Sequence, residues 1–142
     1  YGPAAAVALA VLAAGLVAPD RRVVAVCRDG GFLMNVQELE TAVRLRSKVT
    51  VVVWRDDGYG LIDWKQRNEF GRPFGVEFGN PDFVQYAESF GIAGFRPTST
   101  ADLYPTLVRA LAVDGPSVVE VPIDYAENLR LTERLGALSS GA

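Results

Sequence analysis

Hydrophobic residues are spaced along this chain in two alternating patterns. Short, mainly apolar runs predict buried parallel strands, which are apolar on both faces. These runs are residues 23–27, 49–54, 92–95 and 116–122. Apolar residues at helical spacing predict helices at residues 4–18, 35–45, 61–69, 80–90 and 98–113. The alternation predicts an α/β fold, a three-layer doubly wound parallel sheet with helices on both faces.

Residues 4–18 are almost wholly apolar, so a membrane segment has to be considered. The run is shorter than the roughly 20 residues that a membrane-spanning helix needs, and no basic segment precedes it. A buried helix that ends at Pro19 is the better interpretation, so we expect no membrane segment. Residues 71–80 and 136–142 lack periodicity and predict a loop and a frayed tail.

Composition narrows the class of protein. The 142 residues are 49% hydrophobic and carry a net charge of −3, which describes one domain with its own core. No basic run is present that could follow a nucleic-acid backbone, so we expect no nucleic acid. The single cysteine, Cys27, excludes an internal disulfide and favours a cytoplasmic protein. The absence of histidine excludes catalytic triads that need an imidazole.

Two predicted strands end in acidic residues beside glycines. Asp29-Gly30-Gly31 follows the first strand, and Asp56-Asp57-Gly58-Tyr59-Gly60 follows the second. The carboxyl ends of neighbouring parallel strands form ligand sites. Asp29 and Asp56 would supply hard oxygen ligands for a small divalent cation, and the glycines would let backbone N–H groups approach a phosphate. A helix that begins just after Gly31 would direct its positive end at that phosphate.

Four stretches of sequence carry a family signature. Asp-Gly-Gly-Phe-Leu-Met-Asn-Val-Gln-Glu-Leu-Glu begins at Asp29, and Trp-Arg-Asp-Asp-Gly-Tyr-Gly-Leu-Ile surrounds Asp56. Asp-Phe-Val-Gln-Tyr-Ala-Glu-Ser-Phe-Gly and Val-Pro-Ile-Asp-Tyr-Ala-Glu-Asn-Leu follow later. Together they resemble the thiamine-diphosphate motif and the last elements of the acetolactate synthase group. The resemblance covers nearly the whole chain. It implies that residues 1–142 are a single C-terminal (PP-type) thiamine-diphosphate-binding domain, a fragment of a larger enzyme.

The resemblance also implies a site. The domain would bind the diphosphate of thiamine diphosphate with Mg²⁺, for an enzyme that joins or decarboxylates 2-oxo acids such as pyruvate. Asp29, Asp56 and the carbonyl of Gly58 would be the metal ligands. The cofactor-binding residues would be Asp29, Gly30, Gly31, Asp56, Gly58, Tyr59, Gly60 and Leu61.

No catalytic residue is expected in this chain, because the glutamate that activates the cofactor in this family belongs to a different domain. The resemblance therefore implies a pyrimidine-binding domain or second subunit as partner, a homo-oligomeric assembly and a small 2-oxo acid substrate. Without the pyrimidine-binding domain the chain should be inactive. We also expect that replacing Asp29 or Asp56 by alanine removes cofactor binding and leaves the fold intact.

Three residues depart from the family pattern. Arg28 stands where the family has glycine, so its side chain would point away to solvent, crowd the phosphate, pair with Asp29, or help to bind the diphosphate. Arg55 replaces the usual Asn or Glu, and its side chain should point away from that of Asp56. Lys65 replaces a tryptophan or glutamine that faces the substrate cavity in relatives, or is simply a surface lysine.

Three functions therefore remain open. The chain could serve an acetolactate synthase-like enzyme. It could be a non-catalytic scaffold or interaction domain of the same ancestry, whose pocket Arg28 has disturbed. It could also serve another thiamine-diphosphate-dependent 2-oxo acid decarboxylase or oxidase.

Overall fold

The computed structural model describes residues 11–124, and four strands within them form one parallel sheet. Its strand order is β1-β2-β4-β3, and every neighbouring pair is parallel. The strands are β1 (Val23–Arg28), β2 (Val49–Arg55), β3 (Ala93–Phe95) and β4 (Ser117–Pro122). All four coincide with predicted strands to within one or two residues.

Six helical segments connect or precede these strands. They are α1 (residues 11–17), α2 (Asp29–Leu33), α3 (Glu38–Arg44), α4 (Gly60–Phe70), α5 (Phe83–Ser89) and α6 (Leu103–Leu111). A short 3-10 turn, Thr100–Asp102, precedes α6. None of the helices between residues 11 and 124 combines the length and apolar character needed to cross a membrane.

The sheet is covered on both faces, as predicted for a doubly wound α/β fold. On one face Val53 and Val118 pack with Phe32 of α2, Leu39 of α3 and Phe83 of α5. On the other face the main contacts come from α6, and the buried residues there are Val52, Ala110, Val119 and Val121. Neighbouring residues of β2 and β4 thus enter opposite cores, because side chains alternate along a strand.

The prediction of one helix that begins just after Gly31 is wrong. The structure has a short helix, α2, that already begins at Asp29, and a second, α3, that covers only part of residues 35–45. A turn separates them, in which the N–H of Asn35 donates to the carbonyl of Phe32 at 3.2 Å. Asn is well suited to turns, so the apolar spacing alone extended the prediction too far.

The apolar run at residues 4–18 is helical over residues 11–17, and its earlier part lies outside the described residues. It is less buried than predicted. Leu12 packs in the interior, whereas Leu16 and Val17 are exposed. The predicted tail at residues 136–142 also lies outside the described residues.

The remaining helix ends follow local hydrogen bonding. Asp82 caps α5 by accepting the N–H of Gln85 at 3.0 Å, and Gly91 follows that helix with a φ of +75°. At the start of the 3-10 turn before α6, the side chain of Ser99 accepts the N–H of Asp102 at 3.3 Å. Such side-chain acceptors satisfy N–H groups that a helix start leaves unpaired.

Gly94 gives a test of how closely β3 approaches α5. A Cβ at position 94 would lie 2.9 Å from the carbonyl oxygen and 3.0 Å from the Cα of Val84. We expect Gly94→Ala to lower the free energy of unfolding by about 1–3 kcal/mol, because backbone atoms would have to move. Urea denaturation followed by circular dichroism measures this change.

Gly15→Ala is the matched control. Gly15 lies in α1, and a Cβ on it would lie 3.8 Å from Cγ2 of Val49, an ordinary contact distance. We expect it to stabilise the fold by up to about 1 kcal/mol, because alanine favours helix. Equal effects of the two substitutions would contradict the close packing inferred at Gly94.

Candidate functional site

Asp29 lies at the carboxyl end of β1 and is completely buried. Its carboxylate accepts four hydrogen bonds. Oδ1 accepts the N–H of Gly30 at 2.8 Å, and Oδ2 accepts the N–H groups of Asp56 at 3.1 Å and Asp57 at 2.8 Å. Oδ2 also accepts Nδ2 of Asn80 at 2.8 Å. One side chain thus joins the end of β1, the turn after β2 and the loop before α5.

Asp56 is the second predicted carboxylate, and its side chain is only 4% exposed. Its Oδ2 accepts a charged hydrogen bond from the guanidinium of Arg28. Its Oδ1 is buried and has no hydrogen-bond partner among residues 11–124. The suggested pairing of Arg28 with Asp29 is therefore wrong, because Arg28 pairs with Asp56.

The backbone after β2 makes a constrained turn. Asp57 has a φ of +56°, in the left-handed region that non-glycine residues rarely adopt. The next residue, Gly58, forms an antiparallel bridge with Glu77, and a Cβ there would lie 3.1 Å from the carbonyl oxygen of Val76. The N–H of Tyr59 donates to that carbonyl at 2.8 Å. The turn is therefore attached to the loop at residues 71–80.

Gly30 lies against an aromatic pair. The rings of Tyr59 and Phe78 are 4.8 Å apart, and a Cβ on Gly30 would come within 2.6 Å of the Tyr59 ring. Glycine at position 30 therefore lets the Tyr59 ring lie over the start of α2.

Two clefts meet at this turn. The smaller, of about 500 Å³, contains seven of the eight predicted cofactor-binding residues: Asp29, Gly30, Gly31, Gly58, Tyr59, Gly60 and Leu61. The eighth, Asp56, lines a neighbouring cleft of about 920 Å³, which shares Gly58, Tyr59 and Gly60 with the first. The structure thus brings all eight residues to one edge of the sheet. Lys65 is exposed on α4 and lines neither of these two clefts.

Comparison with known proteins decides the family. A family model described as "Thiamine pyrophosphate enzyme, C-terminal TPP binding domain" matches residues 1–121. The chain belongs to this family. Thiamine pyrophosphate (TPP) is another name for thiamine diphosphate, so the predicted cofactor class is confirmed.

Relatives of this TPP-binding domain include acetolactate synthases. The catabolic enzyme of Raoultella terrigena is 47% identical over 124 residues, which covers 87% of this chain and 22% of the relative. Acetolactate synthase of Bacillus subtilis (strain 168) is 42% identical over 120 residues, which covers 84% of this chain and 21% of the relative. Acetolactate synthase isozyme 2 large subunit of Escherichia coli (strain K12) is 33% identical, with 84% and 22% covered. The chain spans about a fifth of the length of these curated relatives.

The TPP-binding domain also contains a buried ionic network that the sequence analysis missed. Glu120 of β4 is fully buried, and its Oε1 accepts NH1 of Arg55 at 2.9 Å. Its Oε2 accepts NH2 of Arg96 at 2.6 Å and the N–H of Phe83 at 3.2 Å. A charged residue inside the apolar run 116–122 was the available signal. Arg55 faces Glu120 while Asp56 faces Arg28, so the two side chains point to different partners as expected.

Asn80 was also missed, because Asn80-Pro81-Asp82 was interpreted only as a helix start. Its Nδ2 donates at 2.8 Å to both Asp29 Oδ2 and Asp57 Oδ1, whereas its own Oδ1 is buried without a partner among the described residues. No sequence pattern connects a loop asparagine with residues so far away in the chain.

Hydrogen bonding and burial shift the pKa values of Asp57 and Cys27 at this edge. The hydrogen bond from Arg55 is the largest cause that lowers the pKa of Asp57, and Asn80 adds to it. Burial, with a smaller contribution from the negative charge of Asp29, raises the pKa of the Cys27 thiol to about 12. Asp57 is therefore ionised near neutral pH, and Cys27 is an unreactive thiol.

The residues present fit a cation bound to a diphosphate. Within residues 11–124 no three His, Cys, Asp or Glu side chains are grouped as a metal site, so carboxylates alone would not complete the coordination. The buried Oδ1 of Asp56, which lacks a partner in the described part of the chain, is an acceptor that a cation would satisfy. Mg²⁺ commonly uses one or two carboxylates and takes its other oxygens from phosphate and water.

Because Asp29 is completely buried, we predict that its removal lowers stability as well as cofactor binding. Asp29→Ala would remove the acceptor of three backbone N–H groups, those of Gly30, Asp56 and Asp57, and one of the two acceptors of the Asn80 amide. We expect a loss of about 3 kcal/mol in the free energy of unfolding, measured by urea denaturation without cofactor.

Asp56→Ala is the comparison for this prediction. It removes an acceptor only from Arg28, whose side chain is 35% exposed and can turn to water. The expected loss is about 1 kcal/mol. If Asp56→Ala were as destabilising as Asp29→Ala, the distinct structural role assigned to Asp29 would be wrong.

Proposed function

We propose that this chain is the diphosphate- and Mg²⁺-binding domain of an acetolactate synthase-like enzyme that acts on 2-oxo acids such as pyruvate. The observation that carries the proposal is the buried Oδ1 of Asp56, which has no hydrogen-bond partner within residues 11–124 and lies beside the clefts that contain the predicted cofactor-binding residues. The acetolactate synthase relatives support the reaction class.

In this proposal Asp56, Asp29 and the carbonyl of Gly58 hold the metal. Asp56 contributes Oδ1, and Asp29 contributes Oδ1, which accepts one N–H and so retains acceptor capacity. Gly31 would let the diphosphate approach the backbone at the start of α2, whereas Gly30 makes room for the Tyr59 ring and donates its N–H to Asp29. When bound, TPP would supply the carbon–carbon chemistry. The residues of this chain position the diphosphate end of the cofactor.

A partner surface is part of the proposal. Val26, Trp54, Leu61 and Ile62 line the smaller cleft and are 46–57% exposed, and no residue of α4 is buried. Exposed apolar side chains grouped around a cleft are typical of an interface. We assign this interface to the pyrimidine-binding domain, supplied by the same protein or by a second subunit of a homo-oligomer.

A second candidate function is favoured by one contact. The guanidinium of Arg28 already neutralises Asp56, which would weaken the attraction of this carboxylate for a cation. If that contact persisted against Mg²⁺, the chain would be a non-catalytic scaffold or interaction domain of the same ancestry.

Mg²⁺-dependent TPP binding tests the proposal. We expect isothermal titration of the 142-residue chain to detect TPP binding with Mg²⁺ and at least about tenfold weaker binding with EDTA. Asp56→Ala should remove the Mg²⁺-dependent part of the TPP affinity, because it removes Oδ1, the oxygen proposed to bind the metal.

Asp114→Ala is the control for the charge change. Asp114 is exposed and precedes β4, at the edge of the sheet opposite the site, so this variant should bind like the unmodified chain. Binding that is equally strong with and without Mg²⁺, or an unaffected Asp56→Ala variant, would exclude Asp56 from the metal site.

Arg28 gives a separate prediction. Arg28→Gly and Arg28→Met both remove the guanidinium that competes with Mg²⁺ for Asp56, and methionine keeps the backbone restriction that glycine loses. We expect TPP with Mg²⁺ to bind about tenfold more tightly to both variants, equivalent to about 1.4 kcal/mol. The same titration measures it. Weaker binding by both would instead make Arg28 a ligand of the diphosphate and overturn its role as a competitor.

A further inference from the structure

Arg55 connects the buried interior to the turn at the site. Its NH1 donates to Oε1 of the fully buried Glu120, and its Nε donates to Oδ1 of Asp57, both at 2.9 Å. The planar guanidinium fixes the relative directions of these two hydrogen bonds. Asp57 is therefore held at a set distance from a residue in the central strand β4.

The residue held in this way is the one with the unusual backbone. Asp57 has a φ of +56°, and such a conformation costs free energy for any residue with a Cβ. It persists when side-chain contacts over-determine it. Besides Arg55, the Asp57 carboxylate accepts Nδ2 of Asn80, and its N–H donates to Asp29. These contacts attach Asp57 to the central strand through Arg55 and to the site through Asp29 and Asn80.

We propose that Arg55, anchored on Glu120, is a positioning residue that maintains the left-handed turn at Asp57 and thereby the positions of Gly58 and Tyr59 in the clefts. The expected effect of Arg55 on cofactor binding rests on the proposed function. Its effect on the turn does not depend on any bound group. The turn carries Gly58 and Tyr59, which line both clefts.

Arg96 allows this role to be separated from stability. It donates to the other oxygen of the same Glu120 at 2.6 Å, and it pairs with Asp82 at 2.9 Å rather than with Asp57. Arg55 and Arg96 are similarly exposed, at 34% and 37%. Replacing either by methionine leaves Glu120 with one arginine and keeps the aliphatic part of the side chain. Only Arg55→Met disconnects Asp57.

The test compares Arg55→Met with Arg96→Met in the full chain. Hydrogen exchange of backbone amides, followed by NMR without cofactor, reports on the turn through the N–H groups of Asp57 and Tyr59, which donate to Asp29 and Val76. We expect Arg55→Met to accelerate exchange at both amides about tenfold more than at the amides of β4. Arg96→Met should accelerate the amides of the turn and of β4 by the same factor.

Asp57→Gly supplies the second arm. Glycine adopts the left-handed conformation without strain and has no carboxylate for Arg55. When Asp57 is already glycine, adding Arg55→Met should change the exchange rate of the Tyr59 amide, relative to the rates of the β4 amides, by less than about twofold. A full tenfold effect there, or the same selective acceleration in Arg96→Met, would overturn the positioning role.

Cofactor titration completes the test. Arg55→Met should weaken Mg²⁺-dependent TPP binding about tenfold, and Arg96→Met less than about twofold. If the unmodified chain binds no TPP, the proposed function fails, whereas the exchange measurements still decide whether Arg55 holds the turn. Selective exchange with unchanged TPP affinity would overturn the link from the turn to the cofactor site.

Discussion

The buried carboxylate of Asp29 is the constraint on which the site depends. A charged group without access to water must be compensated, and here backbone N–H groups of Gly30, Asp56 and Asp57 supply most of the compensation. Two of these donors belong to the turn that follows β2. Because the Asp29 carboxylate needs these donors, it fixes the backbone at the end of the neighbouring strand β2. The same hydrogen bonds therefore stabilise the fold and shape the site.

The other buried carboxylates at this edge are compensated by arginines. Arg28 pairs with Asp56, whereas Arg55 and Arg96 share Glu120. Glu120 has partners on both oxygens, but Asp56 retains one oxygen without a partner among the described residues. Unequal compensation separates their roles: a fully paired carboxylate stabilises its surroundings, and an incompletely paired one can accept a ligand.

The sequence predicted most of the fold because its signals are local. Valine-rich runs identify buried strands, and acidic residues beside glycines identify the strand ends where Asp29 and Asp56 lie. The start of α2 was missed because five residues are too few for helical periodicity. Asn80 and Glu120 were missed for another reason. Their partners are distant in the sequence, and only the three-dimensional pairing of strands and loops brings them together.

Helix α4, which lines both clefts, receives little support from the core of this domain. Helix α4 has 11 residues, none of them buried, and a helix of that length is marginal in isolation. Its contacts include the Asp63–Arg67 ion pair and the hydrogen bonds between Gln66 and the backbone of Phe74, all of them at exposed positions. Exposed pairs contribute little to stability. A surface that covers α4 would therefore stabilise this wall of the site directly, so assembly and completion of the site would be energetically coupled.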